Sequence, residues 1–165
     1  MIEKYIPHSV MSKLKNYDRV VVGGLIKAGH DSKILFLKRS EGEFMPNVWE
    51  IPSGGMECDE DMQTALSREI AEETGMIIIE ISGFSGAVEY QAMGQRCIQL
   101  NFNVSCSGHV CLSSEHSDFA WSTVESFKGN LDRFMLRTLG LQWVTKKLVK
   151  EFYSVKYCFR SREYC

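Results

Sequence analysis

Residues 54–76 read GGMECDEDMQTALSREIAEETGM, and this stretch carries the strongest structural pattern in the chain. Two glycines open it directly after a proline and a serine, which is typical of a turn. Over residues 61–74 apolar side chains recur at helical spacing, and Gly75 follows where helices commonly end in a left-handed residue. The stretch therefore predicts a loop followed by one helix.

Three glutamates of the predicted helix lie on or beside its apolar face. At about 100° per residue, Glu69 falls among the apolar positions, Glu73 shares that face and Glu72 lies on its border. The apolar positions are Met62, Ala65, Leu66 and Ile70. The opposite side is predicted to carry Gln63, Thr64, Ser67, Ala71 and Thr74. We therefore expect three carboxylates to converge near the core.

Carboxylates that face a core need a cation, because desolvation is costly and like charges repel one another. Arg68, four residues before Glu72, can form one ion pair, but one arginine cannot neutralise three glutamates. Hard oxygen ligands with room for water and phosphate oxygens favour Mg2+ or Mn2+ over zinc. The pattern therefore predicts a divalent metal site rather than a solvated acidic face.

Strand-like segments surround this helix. Residues 19–27 and 33–39 are apolar runs around a turn, and they predict an antiparallel hairpin. Further strands are predicted at residues 48–51, 77–81, 87–90, 96–106 and 119–124, with glycines 83, 86 and 94 as breaks. A second amphipathic helix is predicted over residues 132–153, where Gly140 is expected to bend it. This order indicates an α/β fold, an α/β/α sandwich with a mixed sheet between helices.

Composition limits the classes of function. A chain of 165 residues forms one domain of ordinary size, and its formal net charge of −2 provides no basic field for nucleic acid or anionic membranes. No apolar run approaches the roughly 18 residues that span a bilayer. Six cysteines without a C-x-x-C pair indicate free thiols in a reducing cytoplasm. We therefore expect a cytoplasmic protein that binds a small molecule.

The same stretch resembles the Nudix box, G-x5-E-x7-R-E-U-x-E-E-x-G-U, in which U is a bulky aliphatic residue. The fixed positions are filled by Gly54, Glu60, Arg68, Glu69, Ile70, Glu72, Glu73, Gly75 and Met76, of which Met76 is the mildest match. On this resemblance the chain is identified as a member of the Nudix hydrolase superfamily, with the size of the MutT-like members. The resemblance implies the Nudix fold, with a single Nudix domain over residues 1–153 and a C-terminal tail over residues 154–165.

The resemblance also implies roles for the residues of the box. Glu72 and Glu73 would bind metal, Glu69 would bind a metal or orient the attacking water, and Arg68 would hold the glutamates in place. The backbone carbonyl ahead of the box glycine, here that of Ser53, is a further metal ligand in related proteins. Glu57 and Glu60 are expected to assist. The implied cofactor is Mg2+, with Mn2+ as an alternative.

Two positions depart from common family choices. Ser53 and Asp59 stand where glycine is frequent, which puts the loop conformation, rather than the ligand set, in question.

The implied reaction is attack of water on a phosphorus atom of a diphosphate, with metal ions lowering the pKa of the water. For a MutT-like enzyme, a nucleoside triphosphate or an oxidised nucleotide would yield a nucleoside monophosphate and pyrophosphate. Three alternatives stay open: a nucleotide-sugar pyrophosphatase, a dinucleotide pyrophosphatase, and a nucleotide sensor without catalysis.

Candidate residues outside the box are fewer. Glu115 precedes Trp121 in a segment that resembles the E-H-x-x-x-x-W stretch of many relatives, and it is the loop candidate for a general base beside Glu69. A solvated loop acid is the other interpretation. Arg39 at a strand end is expected to meet phosphate, and Trp49 with its neighbour Glu50 completes the predicted substrate-binding set. The C-terminal residues leave a homodimer contact and a mobile tail both open.

Overall fold

The computed structural model describes residues 1–29 and 32–141 of the chain. Seven strands are formed there: β1 (Arg19–Ile26), β2 (Ile34–Arg39), β3 (Trp49–Glu50), β4 (Ser53–Gly55), β5 (Ile77–Ala92), β6 (Gln95–Ser107) and β7 (His116–Ser122). The α-helices of the same residues are α1 (His8–Met11), α2 (Met62–Thr74), α3 (Val124–Phe127) and α4 (Arg133–Thr138). Short 3-10 turns occur at Ile2–Tyr5, Leu14–Asn16 and Lys128–Asn130.

The strands form two sheets. The first has the order β4-β1-β6-β5 and is mixed, since β1 pairs in parallel with β6 and antiparallel with β4. The second sheet is antiparallel and has the order β3-β2-β7. The mixed sheet that the sequence predicts is therefore present, together with a second, smaller one.

The predicted hairpin between the first two strands is wrong. β1 and β2 lie in different sheets, and only an isolated bridge between Lys27 and Ile34 joins their ends. The reason is burial, because β1 is buried from Val21 to Ile26 and takes the central place of the first sheet. A central strand needs partners on both edges, and β4 and β6 supply them.

β5 replaces the two short strands predicted for its region. It runs without interruption over sixteen residues and pairs with β6, with register shifts between Ile78 and Glu80, before Gly83 and before Gly86. The glycines thus mark bulges and not strand ends. The predicted break at Gly94 is confirmed, since Met93 and Gly94 both have positive φ values, 52° and 81°, in the tight turn between β5 and β6.

Two apolar clusters hold the layers together. The main cluster joins α2 to the first sheet through Leu66, Ile70, Val22, Leu100 and Phe102, and it also contains Ile2 and Ile6. The second cluster joins β1 of the first sheet and β2 of the second sheet to the C-terminal helices, and it contains Leu25, Ile34, Phe36, Ile51, Leu131 and Met135. The sequence pattern did not predict that the N-terminal segment contributes to the core.

The second predicted helix is shorter than expected. α4 begins after Asp132, whose side chain accepts from the Met135 N–H at 2.7 Å, and it ends at Thr138. Gly140, with φ 73°, does not bend the helix but ends it, because the N–H of Leu141 bonds the carbonyl of Leu136 as in a Schellman motif. The remainder of the predicted helix, residues 142–153, and the predicted tail, residues 154–165, lie outside the described residues.

None of the helices in the described ranges is long and apolar enough to cross a membrane.

Candidate active site

α2 has the bounds and the ends that the sequence predicts. Asp61 caps it by accepting from the Thr64 N–H at 2.9 Å, and Gly75 ends it with φ 67° and an N–H bond to the Ala71 carbonyl. A Cβ at Gly75 would lie only 3.1 Å from the Cβ of Cys111. Both the backbone angle and the contact therefore favour glycine there.

The face that α2 buries carries two of the three glutamates. Glu73 is 5% exposed and Glu69 is partly buried, whereas the Glu72 side chain is 57% exposed. The expected convergence of three carboxylates near the core is thus realised by Glu69 and Glu73, while Glu72 lies at the border toward solvent.

The predicted position of Thr74 on the helix is wrong. It is fully buried and does not lie on the solvent side. The buried hydroxyl is not left unsatisfied, because it donates to the Ile70 carbonyl at 2.6 Å and accepts from the Met76 N–H at 3.1 Å. A polar side chain with both of its bonds made inside the helix end can face the core.

Arg68 is the centre of the ion-pair network. Its Nε and Nη2 bind the two oxygens of Glu60, each at 2.9 Å, and its Nη1 donates to Glu69 Oε1 at 2.7 Å. The same Nη1 lies 3.4 Å from Glu72 Oε2, and Nη2 also donates to the Gly55 carbonyl at 3.0 Å. The guanidinium therefore joins the loop before α2 to the carboxylates on α2.

Two contacts bring β4 against the glutamates of α2. A Cβ built on Gly54 would lie 2.0 Å from the Glu69 carboxyl carbon, so that only glycine leaves room for this carboxylate. The Ser53 N–H donates to Glu73 Oε2 at 2.9 Å. The first glycine of the box is thus required by a close approach, and the backbone of Ser53 lies beside the most buried acid.

The loop between β4 and α2 is held by its own acids. The Glu57 N–H donates to Glu60 Oε2 at 3.1 Å, which helps to orient that carboxylate toward Arg68. Asp59 adopts φ 63°, the left-handed region that explains why glycine is common there. The loop therefore keeps the glycine-like conformation although its residue is aspartate.

Burial and mutual repulsion raise the proton affinity of the two inner acids. Burial raises the pKa of Glu73 well above its usual range, and Glu50 and Glu69 add to this while the Ser53 N–H opposes it. Burial also raises the pKa of Glu69, against the lowering effect of Arg68. Glu60 behaves in the opposite way, since its bonds to Arg68 lower its pKa. Negative charge is therefore in excess around Glu69 and Glu73.

Glu115 is exposed just before β7, and its carbonyl accepts from the Ser40 N–H at 2.9 Å. Its charge adds to the raised pKa of Glu69 and of Glu73. A role of Glu115 as general base stays a prediction.

Arg39 and Glu50 bind each other. Arg39 Nη1 lies 2.6 Å from Glu50 Oε1, and Arg39 Nε donates to the Phe44 carbonyl at 2.7 Å. His116, which is 4% exposed, places its Nε2 3.1 Å from the same Glu50 oxygen. Sequence reasoning missed His116, although it directly follows Glu115 and belongs to the same quoted segment.

Trp49 lies in the second apolar cluster. Its ring meets that of Phe127 edge-on with centroids 5.0 Å apart, and Phe127 in turn stacks on Phe36 at 4.6 Å. The contact with Phe127 covers part of the partly buried Trp49 ring. Stacking of a base on Trp49 stays a prediction.

Residues 18–139 match the family model described as the NUDIX domain, which covers most of the chain and the whole of the site. The chain belongs to the NUDIX domain family. A MutT-like protein from Streptomyces ambofaciens is 32% identical to this NUDIX domain over 105 residues, which is 63% of each chain. The nucleoside triphosphatase NudI from Salmonella arizonae is 31% identical over 121 residues, which is 66% of this chain and 84% of that protein.

A solved structure shows the same fold. The MutT protein from Methanosarcina mazei superposes on this NUDIX domain with a TM-score of 0.67 and 25% identity, over 74% of this chain and 90% of that one. The predicted MutT-like membership and the α/β Nudix fold are confirmed. The chain nevertheless spans just under two thirds of the Streptomyces relative, at 63% of its length.

The donors of this NUDIX domain fit a hard divalent cation. Glu69 and Glu73, here called the acid cluster, have pKa values that neighbouring carboxylates help to raise, those of Glu50 and Glu72 among them. Within residues 1–29 and 32–141, no three acidic, histidine or cysteine side chains already form a metal cage. Arg68 instead holds Glu60 and Glu69. An excess of buried carboxylate oxygen is the donor chemistry that Mg2+ and Mn2+ prefer.

Proposed function

We propose that this NUDIX domain is a divalent-metal-dependent hydrolase that cleaves the diphosphate linkage of a nucleoside diphosphate derivative. The preferred substrate in this proposal is a nucleoside triphosphate or an oxidised nucleotide, which yields a nucleoside monophosphate and pyrophosphate. The observation that carries it is the buried acid pair Glu69 and Glu73, held between Arg68 and the backbone of Ser53. Burying two acids side by side is unfavourable for folding and is explained by a cation that binds them.

The metal-binding residues in this proposal are Glu69, Glu72, Glu73 and the carbonyl of Ser53. Mg2+, or Mn2+ in its place, would lower the pKa of a bound water and stabilise charge on the leaving phosphate. The chain itself fixes the ligands beforehand. Arg68 holds Glu69 by a 2.7 Å bond, and the Ser53 N–H holds Glu73. The Glu72 carboxylate is 57% exposed and only 3.4 Å from Arg68 Nη1, and it would turn from there toward the ion.

Glu69 and Glu115 are the candidates for the group that takes the proton from the attacking water. Burial raises the pKa of Glu69, which increases its affinity for a proton, as a general base requires. Glu115 lies in the exposed segment before β7, and its charge contributes to the raised pKa of Glu69.

Substrate binding is assigned to Arg39, Trp49 and Glu50. Two nitrogens of Arg39 are engaged by Phe44 and Glu50, whereas Nη2 lies 3.7 Å from Glu43, too far for a hydrogen bond. This nitrogen is therefore the one that can reach a phosphate oxygen, with Glu50 holding the guanidinium in position. Similarity to a nucleoside triphosphatase over 84% of that protein's length supports the choice of nucleoside triphosphates.

A substrate panel with one matched pair of variants tests the proposal. The products formed with Mg2+ are separated by anion-exchange chromatography, because a nucleotide sugar and a dinucleoside polyphosphate yield no pyrophosphate. The panel contains the common and oxidised nucleoside triphosphates, a nucleotide sugar, a dinucleoside polyphosphate and an RNA with a 5′-triphosphate. Glu73→Gln keeps the volume but removes the charge, and it should lower kcat/KM by more than about 100-fold. Glu80→Gln, the same change at an exposed position of β5, should leave activity unchanged.

The outcomes separate the alternatives. Turnover of the nucleotide sugar or the dinucleotide alone would replace the triphosphate assignment by one of those pyrophosphatases. Turnover of the RNA would overturn the expectation that nucleic acid is not a partner. A wild type that binds nucleotides and hydrolyses none of the panel would be a sensor, and the hydrolase proposal would be wrong.

A further inference from the structure

β6 alternates apolar and amide side chains over residues 98–104, which read IQLNFNV. The apolar members lie in the main cluster with α2. The three amides, Gln99, Asn101 and Asn103, therefore project from the other face of the first sheet. An amide face is ordinary where it meets water, but Gln99 is 3% exposed and Asn101 is fully buried. The strand thus places two amides inside the protein.

The buried amides satisfy only part of their hydrogen-bonding capacity. Gln99 Nε2 donates to Asn101 Oδ1 at 2.9 Å. Asn101 Nδ2 is buried and has no hydrogen-bond partner among the described residues. A buried donor without an acceptor destabilises the folded chain, so it needs an explanation. An acceptor that arrives with a ligand provides one.

The register of the first sheet places this amide pair close to the acid cluster. Gly23 of β1 pairs with Ser53 on one side and with Asn101 on the other. With about 4.8 Å between neighbouring strands, Asn101 lies about 10 Å across the sheet from Ser53. A Cβ at Gly23 would lie 2.6 Å from Asn101 Oδ1 and 2.9 Å from Gln99 Nε2. The missing side chain at Gly23 is therefore what leaves room for the amides beside β4.

The amide pair adjoins the second apolar cluster. The nearest other atom to the same Gly23 position is Ile51 Cδ1, at 3.3 Å. Ile51 belongs to the second cluster, as does Leu25, the next residue of β1 on the face of Gly23. Partly buried aromatic rings packed against this cluster are Trp49, Phe127 and Phe134. A flat ring with apolar faces and a polar edge is the ligand group that suits apolar side chains beside a buried amide.

We propose that the amide pair Gln99 and Asn101 recognises the polar edge of the substrate's nucleobase. Because Oδ1 of Asn101 is taken by Gln99, Nδ2 is the atom that donates to a carbonyl oxygen or ring nitrogen of the base. Gln99 orients this donor. The inference rests on the proposed function. It requires that the phosphates of the same nucleotide bind at the acid cluster, at a distance from Asn101 that the length of one nucleoside spans.

Isothermal titration calorimetry in the presence of Mg2+ tests the inference, because it measures binding and does not require turnover. The probes are non-hydrolysable, methylene-bridged nucleoside triphosphates and, as a probe without a base, tripolyphosphate. The wild type should bind at least one nucleotide analogue more tightly than tripolyphosphate. Asn101→Leu should lower the affinity for that analogue at least about 10-fold, because one hydrogen bond is lost, and it should leave the affinity for tripolyphosphate unchanged.

Two further measurements keep the result specific. The melting temperature of ligand-free Asn101→Leu should change little, because the loss of the unpaired Nδ2 donor is offset by the loss of the acceptor of Gln99 Nε2. Asn103→Leu is the matched control, since Asn103 projects from the same face of β6 but is only partly buried, and it should not change base preference. If Asn101→Leu does not fold, Gln99→Met removes the group that orients Asn101 and should give the same loss.

The opposite results are equally clear. A folded Asn101→Leu variant with unchanged nucleotide affinity would show that no base meets Asn101, and the inference would be wrong. It would be wrong as well if the wild type bound tripolyphosphate as tightly as every analogue. Base-dependent binding without hydrolysis would retain the amide site and remove the hydrolase proposal instead.

Discussion

At the scale of single residues, the site depends on how closely two carboxylates approach the backbone of β4. The Glu69 carboxylate occupies the place of a side chain at Gly54, and Glu73 accepts from the Ser53 N–H. Such contacts orient the acids before any ligand arrives. Groups that are fixed in advance contribute more to catalysis than groups that must be ordered during the reaction.

Replacing Gly54 by alanine should therefore impair activity more than stability. The new methyl group must displace the Glu69 carboxylate from Arg68, and a displacement of this size is expected to lower kcat/KM on the order of 100-fold. The melting temperature should change little, since the clashing atoms are the end of a flexible side chain. Steady-state kinetics on the preferred nucleotide measures the effect.

Gly83→Ala provides the control for that variant. A Cβ at Gly83 would meet nothing within 4 Å, and the same glycine-to-alanine change is made in both cases. Equal activity of the two variants would contradict the role given to the contact between Gly54 and Glu69.

The sequence identified some residues of the site and missed others for physical reasons. Arg68, Glu69 and Glu73 could be placed because a helix has a fixed period and its buried face is visible in the pattern. His116 could not, because its partner Glu50 is 66 residues away and a single histidine has no periodicity. Contacts between separate elements are decided by the tertiary fold.

At the scale of elements, the end of α2 depends on a hydroxyl inside the core. Thr74→Val keeps the shape of the side chain but leaves the Met76 N–H without its acceptor. The free energy of unfolding should fall by about 1–3 kcal/mol. Urea denaturation measures this change. Thr74→Ser retains the hydroxyl and loses one methyl group, and a valine variant no less stable than the serine variant would contradict the explanation.

Element boundaries were predicted well where local chemistry decides them. Asp61 and Gly75 bound α2 as expected, because a capping side chain and a left-handed residue act within one turn. The hairpin of β1 and β2 was wrong because its strands find distant partners. The prediction of strand breaks at Gly83 and Gly86 is wrong, since a bulge and a strand end have the same local composition.

At the scale of the whole molecule, the end of the N-terminal segment binds to β5 and β6, the last two strands of the first sheet. Tyr17, partly buried against the main cluster, bonds Glu89 of β5. Asp18 accepts from the Arg96 N–H at 2.7 Å. This attachment could not be predicted, because the scattered apolar residues of the segment follow neither a helical nor a strand period.

The pH titration of Tyr17 tests this attachment. Burial, and then the bond to Glu89, raise the pKa of Tyr17 from 10.0 to about 12. Because the folded value lies above the unfolded one, the stabilising contribution is complete below pH 10.0 and is lost as the pH rises toward 12. The difference in tyrosinate absorbance between the wild type and Tyr17→Phe should therefore have its midpoint near 12. A midpoint near 10.0 would mean that the segment is not packed in solution.

The parallel pairing of β1 with β6 also has a consequence for synthesis on the ribosome. β1 emerges early, but its partner at residues 97–104 is translated only after some seventy further residues have been added. Until then one edge of an apolar strand is unprotected, the situation in which nascent chains most need chaperones. The β5–β6 hairpin, whose pairs are close in sequence, can form first and offer that edge a template. The main apolar cluster, which packs β6 against the helix of Glu69 and Glu73, can therefore form only late in translation.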